Sequence, residues 1–269
     1  MRALKPLSAY IDGIGLLGPG LAGWPYFREV LSGGRALEPA ATQIPPPTLL
    51  PPAERRRTGR VVNLALAVGL EATQQAAADA ATLRSVFASS GGDGDNCHAI
   101  CETLASADRQ LSPTRFHNSV HNVTAGYWSI ATRDTEASTV ISANDASFAA
   151  GLLEALTQLA AEPADVLFIA YDLDYPSPLR EKRPIPAAFG VALLLRPARS
   201  ARSLAEISAS IGSGAADAEA RPDLEGMRRS IPAARSLPLL ELIARGQSGS
   251  VALEYLQPLQ LTVNVVPCR

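Results

Sequence analysis

Residues 138–170, STVISANDASFAAGLLEALTQLAAEPADVLFIA, contain the unit that decides the fold. The β-branched run at 138–142 predicts a strand. Apolar residues recur at helical spacing through 144–160 and predict an amphipathic helix. The continuous apolar run at 165–171 predicts a buried strand. A strand, a helix and a second strand in this order indicate an α/β fold with a layered sheet.

The turn between the first strand and the helix carries three polar residues. Ser142 or Asn144 is expected to cap the orphan amides of the helix, because short polar side chains accept hydrogen bonds there. Asp145 is expected to complement the helix dipole. Both effects favour a helix that begins at this turn.

Outward from this unit, the chain continues to alternate strands and helices. Strands are predicted at residues 8–17, 84–89, 187–195, 250–256 and 260–266, and helices at 24–31, 60–81, 96–105 and 237–245. A further helix is expected in the middle of 112–130, and the proline-rich residues 38–52 are expected to be extended surface. Small and polar residues dominate later, so 198–235 is predicted to be weakly ordered, with a mobile loop at 213–220.

The composition suits a globular chain and argues against several classes of protein. Of 269 residues, 47% are hydrophobic, which is ample apolar material for a core. A net charge of −2 favours neither a nucleic-acid binder nor a membrane-surface binder. There is no apolar run of membrane-spanning length and no recognisable signal peptide. Three cysteines, an odd number, argue for a reducing compartment, so the expected location is the cytoplasm.

Four stretches together resemble the N-terminal half of the β-ketoacyl synthases, which have a thiolase-like fold. They are residues 10–34, 55–80, 112–130 (SPTRFHNSVHNVTAGYWSI) and 138–170, and the apolar strand after Ala188, Phe189 and Gly190 fits the same pattern. In order and spacing the resemblance covers residues 8–196. It implies one α/β, thiolase-like domain over residues 1–269, in which a mixed β-sheet is packed between helices and the C-terminal half is truncated.

The departures from the family pattern concern its catalytic residues. A working member carries a cysteine at the start of this helix, where the dipole and amides lower the thiol pKa and the thiolate accepts the acyl chain. Asn144 occupies that position here, and an amide forms no thioester. The two histidines of the family's second half are missing too, because His98, His117 and His121 all precede Asn144. The resemblance therefore implies a chain that is not an enzyme and needs no cofactor.

A chain with this fold and without these residues resembles the chain-length factors that pair with a ketosynthase. The resemblance implies a heterodimer in type II polyketide, aryl polyene or fatty-acid-like biosynthesis. There the chain shapes the acyl pocket of the ketosynthase and meets the acyl carrier protein only indirectly. Phe116, Val120 and Val123, at i, i+4 and i+7 of the helix in 112–130, are expected to bound the acyl tunnel. The full set of expected pocket and interface residues is Phe116, His117, Asn118, Val120, His121 and Val123.

Other functions fit the same residues. A stand-alone acyltransferase or thioesterase would use Ser142 or Ser147 as nucleophile, with His117 or His121 and Asp145 nearby in space. A homodimer that binds acyl chains would need no catalytic residue. An amide at the nucleophile turn also leaves open a role in decarboxylation, as is proposed for some pseudo-ketosynthase subunits.

The spacing of Cys97, Cys101, His117 and His121, C-x3-C-x15-H-x3-H, is close to that of a zinc finger. The fifteen residues between the pairs include Ser-Pro and few basic groups, which does not suit a finger helix. The histidines are therefore interpreted as structural, and no metal is expected.

Two further patterns have simple interpretations. The glycines at 13–15 and 91–94 lack the full nucleotide-binding fingerprint and are interpreted as tight turns. The arginine run at 55–57 is interpreted as solvated surface, with contact to a carrier protein as the alternative.

Overall fold

One mixed β-sheet organises residues 7–218 and 221–268, which are the residues that the computed structural model describes. Its strands are β1 (Leu7–Gly18), β2 (Leu21–Ala22), β3 (Arg84–Ala88), β4 (Ser138–Ile141), β5 (Val166–Asp172), β6 (Phe189–Arg196), β7 (Ala205–Ser213), β8 (Gly249–Glu254) and β9 (Leu259–Pro267). The strand order is β4–β3–β5–β6–β1–β7–β9–β8, with β2 paired to β1. The strands β4, β3 and β5 run parallel and the other neighbours antiparallel, which confirms a mixed sheet.

Helices cover both faces of the sheet and confirm the layered α/β fold. They are α1 (Trp24–Leu31), α2 (Pro52–Arg55), α3 (Arg60–Ala76), α4 (Gly94–Ala105), α5 (Pro113–Asn118), α6 (Val123–Thr132), α7 (Ser147–Ala161), α8 (Leu179–Lys182), α9 (Pro222–Ser230) and α10 (Leu237–Arg245). Along β5, Phe168 packs in the apolar cluster that contains α7 and α10, and Ile169 packs in the cluster that contains α3 and α6. All of β5 is buried, which accounts for its continuous apolar sequence.

Strand β1 crosses α3 at a distance that only glycine permits. A Cβ at Gly15 would lie 1.8 Å from the carbonyl oxygen of Val68, and one at Gly13 would lie 2.1 Å from that of Ala72. The interpretation of residues 13–15 as a tight turn is therefore wrong. These glycines lie inside β1, where they let the strand pack directly on the helix backbone.

The single helix expected in 112–130 is in fact two helices, α5 and α6, separated by a short linker. The hydroxyl of Ser119 donates to the carbonyl of Phe116 (2.8 Å), and local bonds of this kind compete with helix continuation. Phe116 therefore lies on α5, Val120 in the linker and Val123 on α6. These three side chains therefore do not share one helix face, and that expectation is wrong.

Helix α3 ends at Ala76, earlier than the predicted end at residue 81. Ala77 has a left-handed backbone (φ 49°), and the N–H of Ala78 donates to the carbonyl of Thr73 (3.0 Å), as in a Schellman-type C-cap. Nothing in an alanine-rich sequence marks this end, because alanine is the best helix former. Neither this helix nor any other in the described residues is long and apolar enough to cross a membrane.

The segment 198–235, predicted to be weakly ordered, contains strand β7 and helix α9. Ala205, Ile207 and Ala209 alternate into the core, but two of the three are alanines, so the apolar signal is weak. A short 3₁₀ helix, Pro232–Ser236, follows α9. Of the predicted mobile loop at 213–220, residues 219–220 lie outside the described residues.

Candidate functional site

The turn between β4 and α7 holds Asn144 in a left-handed backbone conformation. Its φ is 52°, a region that non-glycine residues seldom enter and that asparagine tolerates better than most. Asn144 starts a 3₁₀ turn, Asn144–Ala146, and is exposed. The turn thus presents an amide to solvent just before α7, where the parallel strands β4, β3 and β5 end.

Two serines hold this turn in place. Ser147 Oγ accepts a hydrogen bond from the N–H of Ala143 (3.0 Å) and donates one to the carbonyl of Asn144 (2.6 Å). Ser142 Oγ donates to the carbonyl of Ser89 (2.6 Å), at the end of β3. Ser142 and Asn144 therefore do not cap α7, and that expectation is wrong. Both serine hydroxyls are engaged with the backbone.

Asp145 pairs with two guanidinium groups. Its Oδ1 lies 2.6 Å from Arg183 Nη2, and its Oδ2 lies 3.2 Å from Arg235 Nη2. Arg235 also forms an ion pair with Glu254 on β8. These contacts tie the turn to the C-terminal part of the sheet.

The residues of the serine-nucleophile alternative are not brought together. His117 packs edge-on against the ring of Tyr127, with centroids 6.0 Å apart. His121 lines a cavity beside α4 that His117 does not line. Within residues 7–218 and 221–268, no hydrogen bond or ion pair joins a histidine to Ser142, Ser147 or Asp145. The structure gives this alternative no support.

Asp172, at the end of β5, anchors the neighbouring loops and was missed by sequence reasoning. Its Oδ1 accepts hydrogen bonds from the N–H (2.9 Å) and the hydroxyl (2.6 Å) of Ser90, and its Oδ2 accepts one from the N–H of Ala233 (2.8 Å). Asp172 is buried, and burial raises the pKa of its carboxyl to about 6 against the opposing effect of these donors. The available signal was an acidic residue at the end of an otherwise apolar strand.

An apolar cavity of about 460 Å³ lies between α4, the α5–α6 linker and the end of β5. Five of the six expected pocket residues line it: Phe116, Asn118, Val120, His121 and Val123. The sixth, His117, lines a neighbouring cavity with Tyr127. The linker, rather than a continuous helix, brings the five residues together.

Helix α4 supplies a wall of this cavity that sequence reasoning did not assign. Cys97, Ile100 and Leu104 line it, at i, i+3 and i+7. This is the spacing of one helix face. The signal was therefore present in the sequence, but it fell outside the stretches that carry the family resemblance.

The four residues of the zinc-like spacing do not converge. Cys97 and His121 line the apolar cavity, whereas His117 lines the neighbouring one. No group of three or more His, Cys, Asp or Glu side chains that could hold a metal ion occurs in the part of the chain that the structure describes.

The arginines at 55–57 have separate roles. Arg55 donates to the carbonyls of Thr48 and Leu50, both at 3.1 Å, and so holds the end of the proline-rich segment. Arg57 pairs with Glu54 at 3.3 Å. Arg56 is exposed.

A sequence comparison assigns the family. The family described as Beta-ketoacyl synthase, N-terminal domain, matches residues 33–251, which include the Asn144 turn and the apolar cavity. The chain belongs to this β-ketoacyl synthase family. No curated protein sequence matches the chain.

Solved structures share the β-ketoacyl synthase fold of the chain. One is a ketosynthase (ApeO) in complex with its chain length factor (ApeC) from Xenorhabdus doucetiae; the identity is 23%, the TM-score is 0.72, and the match covers 96% of this chain and 99% of that one. The ishigamide ketosynthase/chain length factor matches at 14% identity and a TM-score of 0.72, over 97% and 100%. A β-ketoacyl synthase from Burkholderia phymatum matches at 13% and 0.67, over 99% and 100%. The likeness spans these chains almost end to end.

Proposed function

We propose that this chain is the non-catalytic partner of a ketosynthase, a chain-length-factor-like subunit that shapes the acyl pocket of the complex. The pathway would be type II polyketide, aryl polyene or fatty-acid-like biosynthesis in the cytoplasm. The observation that carries the proposal is Asn144, which lies in the left-handed turn before α7, at the position that the sequence resemblance assigns to the family's nucleophilic cysteine. An amide at that position accepts no acyl group. Such a subunit retains the fold and leaves the chemistry to its partner.

The cysteines and histidines of the chain support a non-catalytic role. Cys97 and Cys101 lie on α4, and Cys268 follows β9, so none lies in the Asn144 turn. His98 pairs with Glu102 at 3.3 Å on α4, away from that turn. A thiolate and a histidine within hydrogen-bond reach are what the family's chemistry requires.

The surface around the apolar cavity supports pairing with another protein. Leu104 is 48% exposed, Phe116 64% and Val120 44%, and Ile130, which lines the neighbouring cavity, is 45% exposed. Exposed apolar side chains that cluster in this way mark protein interaction sites. Strand β4 lies at an edge of the sheet, and α6 packs against it, so an unpaired strand edge adjoins the same surface. The similarity to chains of ketosynthase/chain length factor complexes supports a ketosynthase as the partner.

Native mass spectrometry of the chain, alone and co-expressed with the ketosynthase encoded beside it, tests the pairing. We expect a stable 1:1 heterodimer. Val120→Asp should abolish it, because a carboxylate would be buried in an apolar interface without a partner. Leu256→Asp, at a leucine that is 53% exposed between β8 and β9, is the matched control and should leave the heterodimer intact. A monomer or homodimer that does not bind the ketosynthase would contradict the proposal, and a homodimer would favour a homodimeric acyl-binding protein.

Replacing Phe116 by alanine is expected to lengthen the products of the complex. Phe116 lines the apolar cavity, and its removal leaves space in which each further methylene contributes ~0.8 kcal/mol of burial. Mass spectrometry of the products measures their length, with Leu256→Ala as the control that should not change it. Products of unchanged length from the Phe116→Ala complex would refute the role of this residue.

A further inference from the structure

The inner end of the apolar cavity carries two hydroxyl groups. Leu104 and Phe116 line its exposed side, whereas Thr124 and Tyr171, which line the same cavity, are each 1% exposed. Thr124 lies in the first turn of α6 and Tyr171 on β5, so regular structure holds both side chains. The most deeply buried hydroxyl groups of the cavity lining are therefore those of Thr124 and Tyr171, in a lining that also includes the polar residues Asp93, Asn118, Ser119 and His121.

One hydrogen bond joins the two hydroxyls, and it uses only part of their hydrogen-bonding capacity. Tyr171 Oη donates to Thr124 Oγ1 at 2.9 Å, and neither hydroxyl has another hydrogen bond within the described residues. Two hydroxyls have two protons, and one hydrogen bond between them uses one. Whichever way the bond runs, one proton is left without an acceptor, and a buried donor in that state is unfavourable. Burial raises the pKa of Tyr171 to about 12, so the phenol keeps its proton at neutral pH.

We infer that this cavity selects acyl chains that carry a hydrogen-bond acceptor near their distal end, such as a ketone or ether oxygen, over chains that end in a plain alkyl group. The inference rests on the proposed function, because it names the substrate class of the proposed acyl pocket. An acceptor at the chain end takes the free proton of the Thr124–Tyr171 pair. An alkyl end leaves that proton unpaired, and sites built to hydrogen-bond a substrate discriminate against analogues that lack the group.

The test uses the heterodimer with a ketosynthase whose nucleophilic cysteine is replaced by alanine. Its ligands are matched pantetheine thioesters of increasing length, each alkanoyl chain paired with its terminal methyl-ketone analogue. At the length that reaches Thr124 and Tyr171, the ketone is expected to bind about tenfold more tightly, as one well-made hydrogen bond would give. Equal dissociation constants at every length, or no binding of either series, would overturn the inference.

Variants of the hydroxyl pair give a distinctive pattern. Thr124→Val and Tyr171→Phe nearly preserve shape, and each single variant keeps one hydroxyl with a free proton. Each is therefore expected to keep the preference for the ketone. Only the double variant should lose it, to within about twofold, because it removes both donors without leaving one unpaired. A preference that survives in the double variant would show that another group recognises the ketone.

The outcomes separate this inference from the proposed function. If no heterodimer forms, the proposed function fails, and the inference fails with it. If the heterodimer forms and Phe116→Ala lengthens products while the hydroxyl variants change nothing, only the present inference is wrong.

Discussion

Replacement of Gly15 by valine is expected to leave most of the protein molecules unfolded. The new Cβ would lie 1.8 Å from the carbonyl oxygen of Val68 and 2.7 Å from its carbon, both backbone atoms of α3. A backbone carbonyl cannot rotate away as a side chain can, so β1 and α3 would have to separate. Overpacking of this kind costs about 3 kcal/mol or more, a large part of the stability of an ordinary domain.

Chemical denaturation, with the soluble yield as a second measurement, checks this prediction. Gly15→Ala places a smaller side chain against the same carbonyl and should also lower the free energy of unfolding. Gly126→Ala is the matched control, because Gly126 is exposed on α6 and a Cβ there has no neighbour within 4 Å. It should stabilise the helix by up to about 1 kcal/mol. Wild-type stability of Gly15→Val would mean that β1 does not lie against α3.

Replacement of Asp172 by alanine is expected to lower the free energy of unfolding at neutral pH by about 2–4 kcal/mol. The carboxylate accepts the N–H groups of Ser90 and Ala233 and the hydroxyl of Ser90. Alanine leaves these donors without an acceptor, at about 1–3 kcal/mol for each one that stays buried. Asp174→Ala is the control, since this half-buried carboxylate pairs with Arg60 near the surface (2.8 Å) and should cost no more than about 1 kcal/mol.

The pH dependence of stability separates the contribution that the titration of Asp172 makes to stability from the contribution of its hydrogen bonds. In the folded chain its pKa is raised to about 6, so the unfolded chain releases this proton first as the pH rises. As the pH rises from about 4 to about 6, the free energy of unfolding should therefore fall. This group contributes a decrease of up to about 1.4 kcal/mol per pH unit. Other carboxyls also have raised pKa values, including Glu71 and Asp93, so the difference between wild type and Asp172→Ala isolates the contribution. Parallel pH profiles of the two proteins would show that Asp172 does not titrate in this range.

The parts of the fold that were predictable are those in which burial follows a local pattern. The strand, helix and strand at 138–170 were predicted to within a few residues, because the spacing of their apolar residues indicates which face of each element is buried. The presence of an asparagine in the turn before α7 could also be read from the sequence, since the type of a side chain needs no coordinates. The same does not hold for the expected pocket residues, because five of the six line the apolar cavity through the α5–α6 linker and not through the helix face expected from their spacing.

Contacts between residues far apart in the chain were decided only by the tertiary structure. The hydroxyls of Thr124 and Tyr171 meet across 47 residues, and Asp172 meets Ala233 across 61. The glycines of β1 are explained by a helix that begins more than forty residues later. No local periodicity encodes such pairs. Packing brings β5, α6 and the C-terminal segment together, and only then do a buried carboxylate, a hydroxyl pair and an apolar cavity exist.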